Sequence, residues 1–155
     1  MTDKTPKPTY SLPDTLTLGK TVSYEAHYAP TLLQSVPRAL GRNTLELNGA
    51  LPFSGTDIWT GFELSWLNAK GKPCIAILEC RVPVTSPNLI ESKSFKLYLN
   101  SFNQTKFESA EDVRQVLEKD LSECAGLAVS VELILPAQFS TLKMQELEGE
   151  VIDDL

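Results

Sequence analysis

The side chains best suited to chemistry in this sequence are gathered in one stretch, residues 88–105, NLIESKSFKLYLNSFNQT. Glu91, Ser92, Lys93, Ser94 and Lys96 set one carboxylate beside two hydroxyls and two ammonium groups. Such a set can hydrogen-bond a heteroaromatic base and pair with a phosphate. Phe95, Leu99 and Phe102 follow at i, i+4 and i+7, so 89–103 reads as one helix with a single buried stripe. Glu91, Ser92 and Lys93 then stand at its N-terminus, where unpaired backbone N–H groups and the helix dipole favour anions. A capped amphipathic helix with a solvated polar face accounts for the same pattern without any ligand.

Other reactive side chains are few. The chain has three cysteines (Cys74, Cys80, Cys124) and one histidine, His27. A zinc site needs three or four N, S or O ligands close together, so no metal site is expected. The odd cysteine count and the absence of an N-terminal apolar run point to free thiols and a cytoplasmic protein. His27 reads as a surface or packing residue. No apolar run approaches the roughly 18–20 residues that span a bilayer. The net charge of −6 argues against a general nucleic-acid binder, which needs a basic face. At 155 residues, 42% of them hydrophobic, the chain is long enough for one domain with a core.

The elements that must position the polar stretch can be read along the chain. Residues 1–14, with three prolines, read as a flexible arm. The segment 16–28 alternates loosely, and Pro37 makes a long helix through 30–41 unfavourable, so a short helix or extended loop is expected there. Residues 56–67 and 74–84 form a long antiparallel hairpin closed by a Gly-containing turn, NAKGKP. In the first strand Ile58, Thr60, Phe62, Leu64 and Trp66 should share one face, and Asp57, Trp59, Gly61, Glu63 and Ser65 the other. Pro83 suggests an edge or bulge near the end of the return strand. A second helix, 109–125, has Ser109 as N-cap with Asp112 completing a capping box. Val113, Val116, Leu117, Leu121 and Cys124 form its buried stripe, and Gly126 stops it. A third strand covers 128–135, and a weak fourth candidate lies at 149–152. The pattern is α+β, with both helices on one face of an antiparallel sheet.

The octapeptide ESKSFKLY resembles the signature of the NADPH-dependent nitrile reductases of the queuosine pathway (the QueF family). These reduce 7-cyano-7-deazaguanine to 7-aminomethyl-7-deazaguanine. LLQSVPRALGR, LPFSGTDIWTGFELSWLNAKGKP and LIESKSFKLYLNSFNQTKF resemble the N-terminal half of the two-module form, over roughly residues 16–131. The resemblance implies the tunnelling fold (T-fold) for 15–140, in which such sheets assemble side by side into a barrel. Residues 141–155 are then an acidic tail, or the start of a linker to a second T-fold module. It implies that Ile90, Glu91 and Ser92 contact the deazaguanine, and that Ser92 and Lys93 contact NADPH. It implies no contact for Lys96. Apolar residues on both faces of the strands lead to the expectation of a homo-oligomer.

The family's chemistry needs a cysteine thiolate that adds to the nitrile, with an aspartate about seven residues further on, and a His-Glu pair that grips the base. Here Arg81, Pro87 and Val131 occupy the positions seven residues after the cysteines, and Tyr28 follows His27. No catalytic residue is therefore expected in this chain. The expected function is that of an N-terminal module whose catalytic Cys and Asp lie in an absent C-terminal half, inactive by itself and part of a longer protein. The alternative is a non-catalytic T-fold module for binding or dimerisation. A pterin- or GTP-processing T-fold enzyme is disfavoured by the single histidine, since those usually hold a metal.

Overall fold

The computed structural model describes residues 16, 19–45, 47, 49–143 and 149–153. The expected N-terminal arm, 1–14, lies outside the described residues. The hairpin is the backbone of the fold: β2 (Thr56–Asn68) and β3 (Pro73–Pro83) pair antiparallel along almost their whole length. Their turn is built as the sequence requires. Asn68 Oδ1 accepts the backbone N–H groups of Lys70 and Lys72 at 3.0 and 2.9 Å, and Gly71 takes φ 81°. Strand β6 (Ser130–Ile134) pairs antiparallel with β3 and ends the sheet on that side. The fourth strand is the two-residue β5 (Lys106–Phe107), parallel to the end of β2. Residues 149–152, the expected fourth strand, form none; the two-residue β5 fills that place.

The expected single face of β2 is corrected by a bulge. Gly61 pairs with Leu78 and Leu64 with Ala76, so β2 advances three residues while β3 advances two. The extra residue reverses the side chains. Before it Ile58 is exposed and Trp59 packs inward on Phe95; after it Leu64 and Trp66 are buried. On β3 no such reversal occurs, and Ala76, Leu78, Cys80 and Val82 all enter the core.

The expected helix over 89–103 divides in two. Residues Asn88–Ile90 form a short strand, β4, paired antiparallel with β1 (Ser35–Pro37), and helix α2 begins only at Ser92 and runs to Asn100. Ile90 therefore belongs to a strand, opposite Ser35 in the β1–β4 register. Between 30 and 42 the chain makes a 3-10 turn (Pro30–Leu32), β1 and a single helical turn, α1 (Ala39–Arg42), the short pieces that Pro37 allows. Helix α3 (Ala110–Ala125) has the expected Ser109 N-cap and the full capping box with Asp112. Gly126 closes it at φ 75°. Both helices lie on one face of the sheet and share one core: Phe95, Tyr98 and Phe102 meet Val113, Leu117 and Leu121 over Leu64, Leu78 and Cys80. Cys124 is half-buried and packs at the edge of this cluster. The other face of the hairpin leaves Ile58 and Ile75 at 53% and 52% exposure, and Phe62, within the bulge, is 73% exposed. The α+β architecture fits a T-fold module.

Candidate functional site

The site lies where β4 hands over to α2. The β1–β4 ladder ends at Ile90, and the Glu91 N–H donates to the Gln34 carbonyl at 2.8 Å. Glu91 then takes an extended conformation (φ −69°, ψ 129°) and becomes the N-cap of α2. Its carboxylate is buried, at 5% exposure for the residue. One oxygen accepts the Lys93 N–H at 2.8 Å and the other the Ser94 N–H at 2.6 Å. Shorter polar residues are the usual caps, so a glutamate folding back onto two N–H groups is a specific arrangement. Negative charge at this end is favoured by the dipole as well as by the hydrogen bonds. Each carboxylate oxygen has two acceptor positions.

The four sequence-expected site residues are thus consecutive at one junction but face differently. Ile90 is 3% exposed and its side chain belongs to the core, which leaves its backbone as the group a ligand would meet. Ser92 is exposed on the first turn of α2. Lys93 is half-buried and directs its ammonium to the Lys20 carbonyl in the segment that precedes β1. Ser92 also lines a cleft of about 320 Å³ between α2 and the bulged part of β2, together with Trp59, Phe62, Glu63, Lys96 and Asn100. Gly61 forms part of its floor. An added Cβ there would meet Leu99 Cδ1 at 3.3 Å, so a small residue lets the helix sit close over the bulge.

Three groups of polar residues about the site were not foreseen as such. Ser94 and Ser101, both fully buried, donate to carbonyls of their own helix and accept the N–H groups of Gln34 and Ala29, at 3.0 and 3.1 Å. Arg38 pins the loop that leads into β4. Its guanidinium donates to Ser86 Oγ at 3.1 Å and pairs with Asp57 at 2.5 Å. Asp120 lies buried on α3 and accepts the hydroxyls of Tyr28 and Tyr98, each at 2.7 Å. The sequence holds a signal for the last: position 120 falls three residues after Leu117 on the apolar stripe, where a carboxylate needs a reason.

Two of the three cysteines are shielded by the core. Burial pushes the Cys80 thiol up to about 12 and the Cys124 thiol up to about 11, whereas the attacking species is the thiolate. Among the described residues no group of three or more His, Cys, Asp or Glu side chains could hold a metal ion, and no helix is long and apolar enough to cross a membrane.

The structure thus presents an α+β domain with a buried carboxylate, an exposed hydroxyl and a lysine at one helix N-terminus. The family described as "Nitrile reductase, 7-cyano-7-deazaguanine-reductase N-term" matches residues 24–133, and the chain belongs to that family. It is 56% identical over 138 residues to the NADPH-dependent 7-cyano-7-deazaguanine reductase of Bordetella avium (strain 197N), covering 89% of this chain and 50% of that protein. It is 52% identical over 143 residues to the protein of the same description from Burkholderia cenocepacia (strain HI2424), covering 92% and 52%. The chain spans about half the length of the curated relatives it matches.

Proposed function

We propose that this chain is the N-terminal module of an NADPH-dependent nitrile reductase that converts 7-cyano-7-deazaguanine to 7-aminomethyl-7-deazaguanine in queuosine biosynthesis. The observation that carries the reading is Glu91: a buried carboxylate, oriented by two backbone N–H groups, within the stretch that the family matches. A buried carboxylate held in this way suits the amino and ring N–H edge of a guanine-like base. Ile90 and Ser92 flank it and complete the base contact.

The residues present also fit a phosphate-bearing cofactor. Ser92 offers an exposed hydroxyl and Lys93 an ammonium at a helix N-terminus, where a phosphate is favoured. When bound, NADPH supplies the hydride. The role of this chain is to hold base and cofactor in register; the thiol that adds to the nitrile and its acid partner belong to the second half. The raised Cys80 and Cys124 thiols support that division. On this reading residues 15–140 are the T-fold unit and 141–155 begin the connection to the second module.

Side-by-side assembly is part of the same reading. No described strand pairs with the outer edge of β2 from Thr56 to Trp66, and β6 ends the sheet on the other side. Open edges and the exposed Ile58, Phe62 and Ile75 call for a partner, either the second module or another copy.

The test is NADPH consumption by the full-length protein on addition of 7-cyano-7-deazaguanine, with the aminomethyl product identified by mass spectrometry. Turnover in the unaltered protein and its loss in Glu91→Ala is the expected result. Tight binding of the base without NADPH consumption would overturn the reading in favour of a non-catalytic binding or dimerisation module.

A further inference from the structure

The buried carboxylate of Asp120 has no place in the chemistry above, and it needs an explanation. A charge in a core is weak support for stability, since apolar residues of the same volume often do as well or better. What a carboxylate adds is direction. A single oxygen, Asp120 Oδ2, accepts the Tyr98 hydroxyl from α2 and the Tyr28 hydroxyl from the segment before β1, both at 2.7 Å. Lys119 Nζ stands 3.7 Å from the other oxygen. Burial first, and then Asp120, push both phenols well above the usual tyrosine range, so they remain donors.

Two routes lead from this junction to Glu91. The first is α2 itself: Tyr98 lies seven residues, roughly 10 Å of helix, from Glu91. The second is the segment from Tyr28 to Gln34, which is fastened along α2. The Tyr28 N–H donates to Thr105 Oγ1 at 2.8 Å, the Ala29 N–H to Ser101 Oγ at 3.1 Å and the Gln34 N–H to Ser94 Oγ at 3.0 Å. At the far end the Gln34 carbonyl receives the Glu91 N–H at 2.8 Å. The tyrosine rings interlock as well: Tyr28 meets Tyr98, Phe102 and Phe107 edge-on. Helix and strap are therefore tied together at one end by Asp120 and meet again at the other end at Glu91.

We propose that Asp120 is a positioning residue for Glu91: by gripping Tyr98 and Tyr28 it sets the rotation of α2 and the reach of the strap, and so the direction of the Glu91 carboxylate toward the base. This rests on the base-binding role given to Glu91 above. The test is a double-mutant cycle on the full-length protein, with the dissociation constant for 7-cyano-7-deazaguanine measured by calorimetry and folding checked by thermal melting. Asp120→Asn keeps the shape and removes the charge. Tyr28→Phe removes one of the two donors and serves if Asp120→Asn does not fold.

The expected result is weakening on the order of tenfold for either variant when Glu91 is present, and no further weakening in the Glu91→Ala background, as for groups acting in one network. Equal weakening in both backgrounds, or none in either, would overturn the proposal and assign Asp120 to stability alone. If Glu91→Ala itself left the affinity unchanged, the base-binding reading would fail first, and the positioning role with it.

Discussion

Replacing Gly126 by alanine tests how the end of α3 is fitted against the loop that delivers the site. Gly126 has φ 75°, and a Cβ added there would lie 2.6 Å from Pro87 Cγ and 3.3 Å from Pro87 Cδ. The left-handed conformation costs an alanine roughly 1–2 kcal/mol. The overlap cannot be relieved by a flexible side-chain end, because Pro87 is a ring whose carbonyl accepts the Arg38 N–H at 2.9 Å. Forcing in a methyl group of this kind adds about 1–3 kcal/mol. Together Gly126→Ala should lose about 2–5 kcal/mol, a large share of the roughly 5–15 kcal/mol that holds a domain of this kind. The assay is urea unfolding followed by tryptophan fluorescence, with Gly41→Ala as control. Gly41 lies in α1 with nothing within 4 Å of an added Cβ. Its replacement should be neutral or stabilise by about 0.5–1 kcal/mol. A Gly126→Ala midpoint equal to that of the unaltered protein would refute both the backbone and the contact argument.

The tyrosines give a pH prediction. Tyr28 and Tyr98 are raised above 10.0 in the folded chain, by burial first and Asp120 second. Below about pH 10 their protonation is the same folded and unfolded; above it the unfolded chain releases protons that the folded one keeps, so stability falls as pH rises. In a phenolate absorbance titration Tyr28 and Tyr98 should stay silent until the chain unfolds; their ionisation in a folded chain would contradict the network. Ser109→Ala should cost about 1 kcal/mol through loss of the α3 cap, while Ser109→Asp should retain most of it. Equal denaturation midpoints for all three forms would show that the capping box contributes nothing.

The sequence made legible whatever was encoded locally. The hairpin and its turn follow from NAKGKP between two β-rich runs, and α3 from Ser109, Asp112 and Gly126 at its ends. The bulge in β2 escaped because apolar residues occur on both parities: Ile58, Phe62, Leu64 and Trp66 alternate correctly in sequence, yet Trp59 is the one that packs inward before the bulge. Strand β4 escaped because it is three residues long and exists only through its pairing with residues 35–37, some fifty positions earlier in the chain. That pairing moved Ile90 out of the helix and made Glu91 its cap, a role a glutamate rarely takes. The stripe through Phe95 and Phe102 was right as far as it went, but Tyr98 is the fully buried residue between them, and Leu99 only partly so. Its partner, Asp120, lies on another helix, and no local rule joins the two.

Calorimetric titration of the full-length protein with 7-cyano-7-deazaguanine, unaltered and as Glu91→Gln, tests the role proposed for the Glu91 carboxylate. The glutamine keeps the length of the side chain and one capping oxygen, so the variant should fold. Loss of a charge-assisted pair corresponds to about 1.5–3 kcal/mol, or roughly ten- to a hundredfold weaker binding. A folded Glu91→Gln protein that binds the base as tightly as the unaltered one would contradict the assignment of this helix N-terminus as the base-binding site.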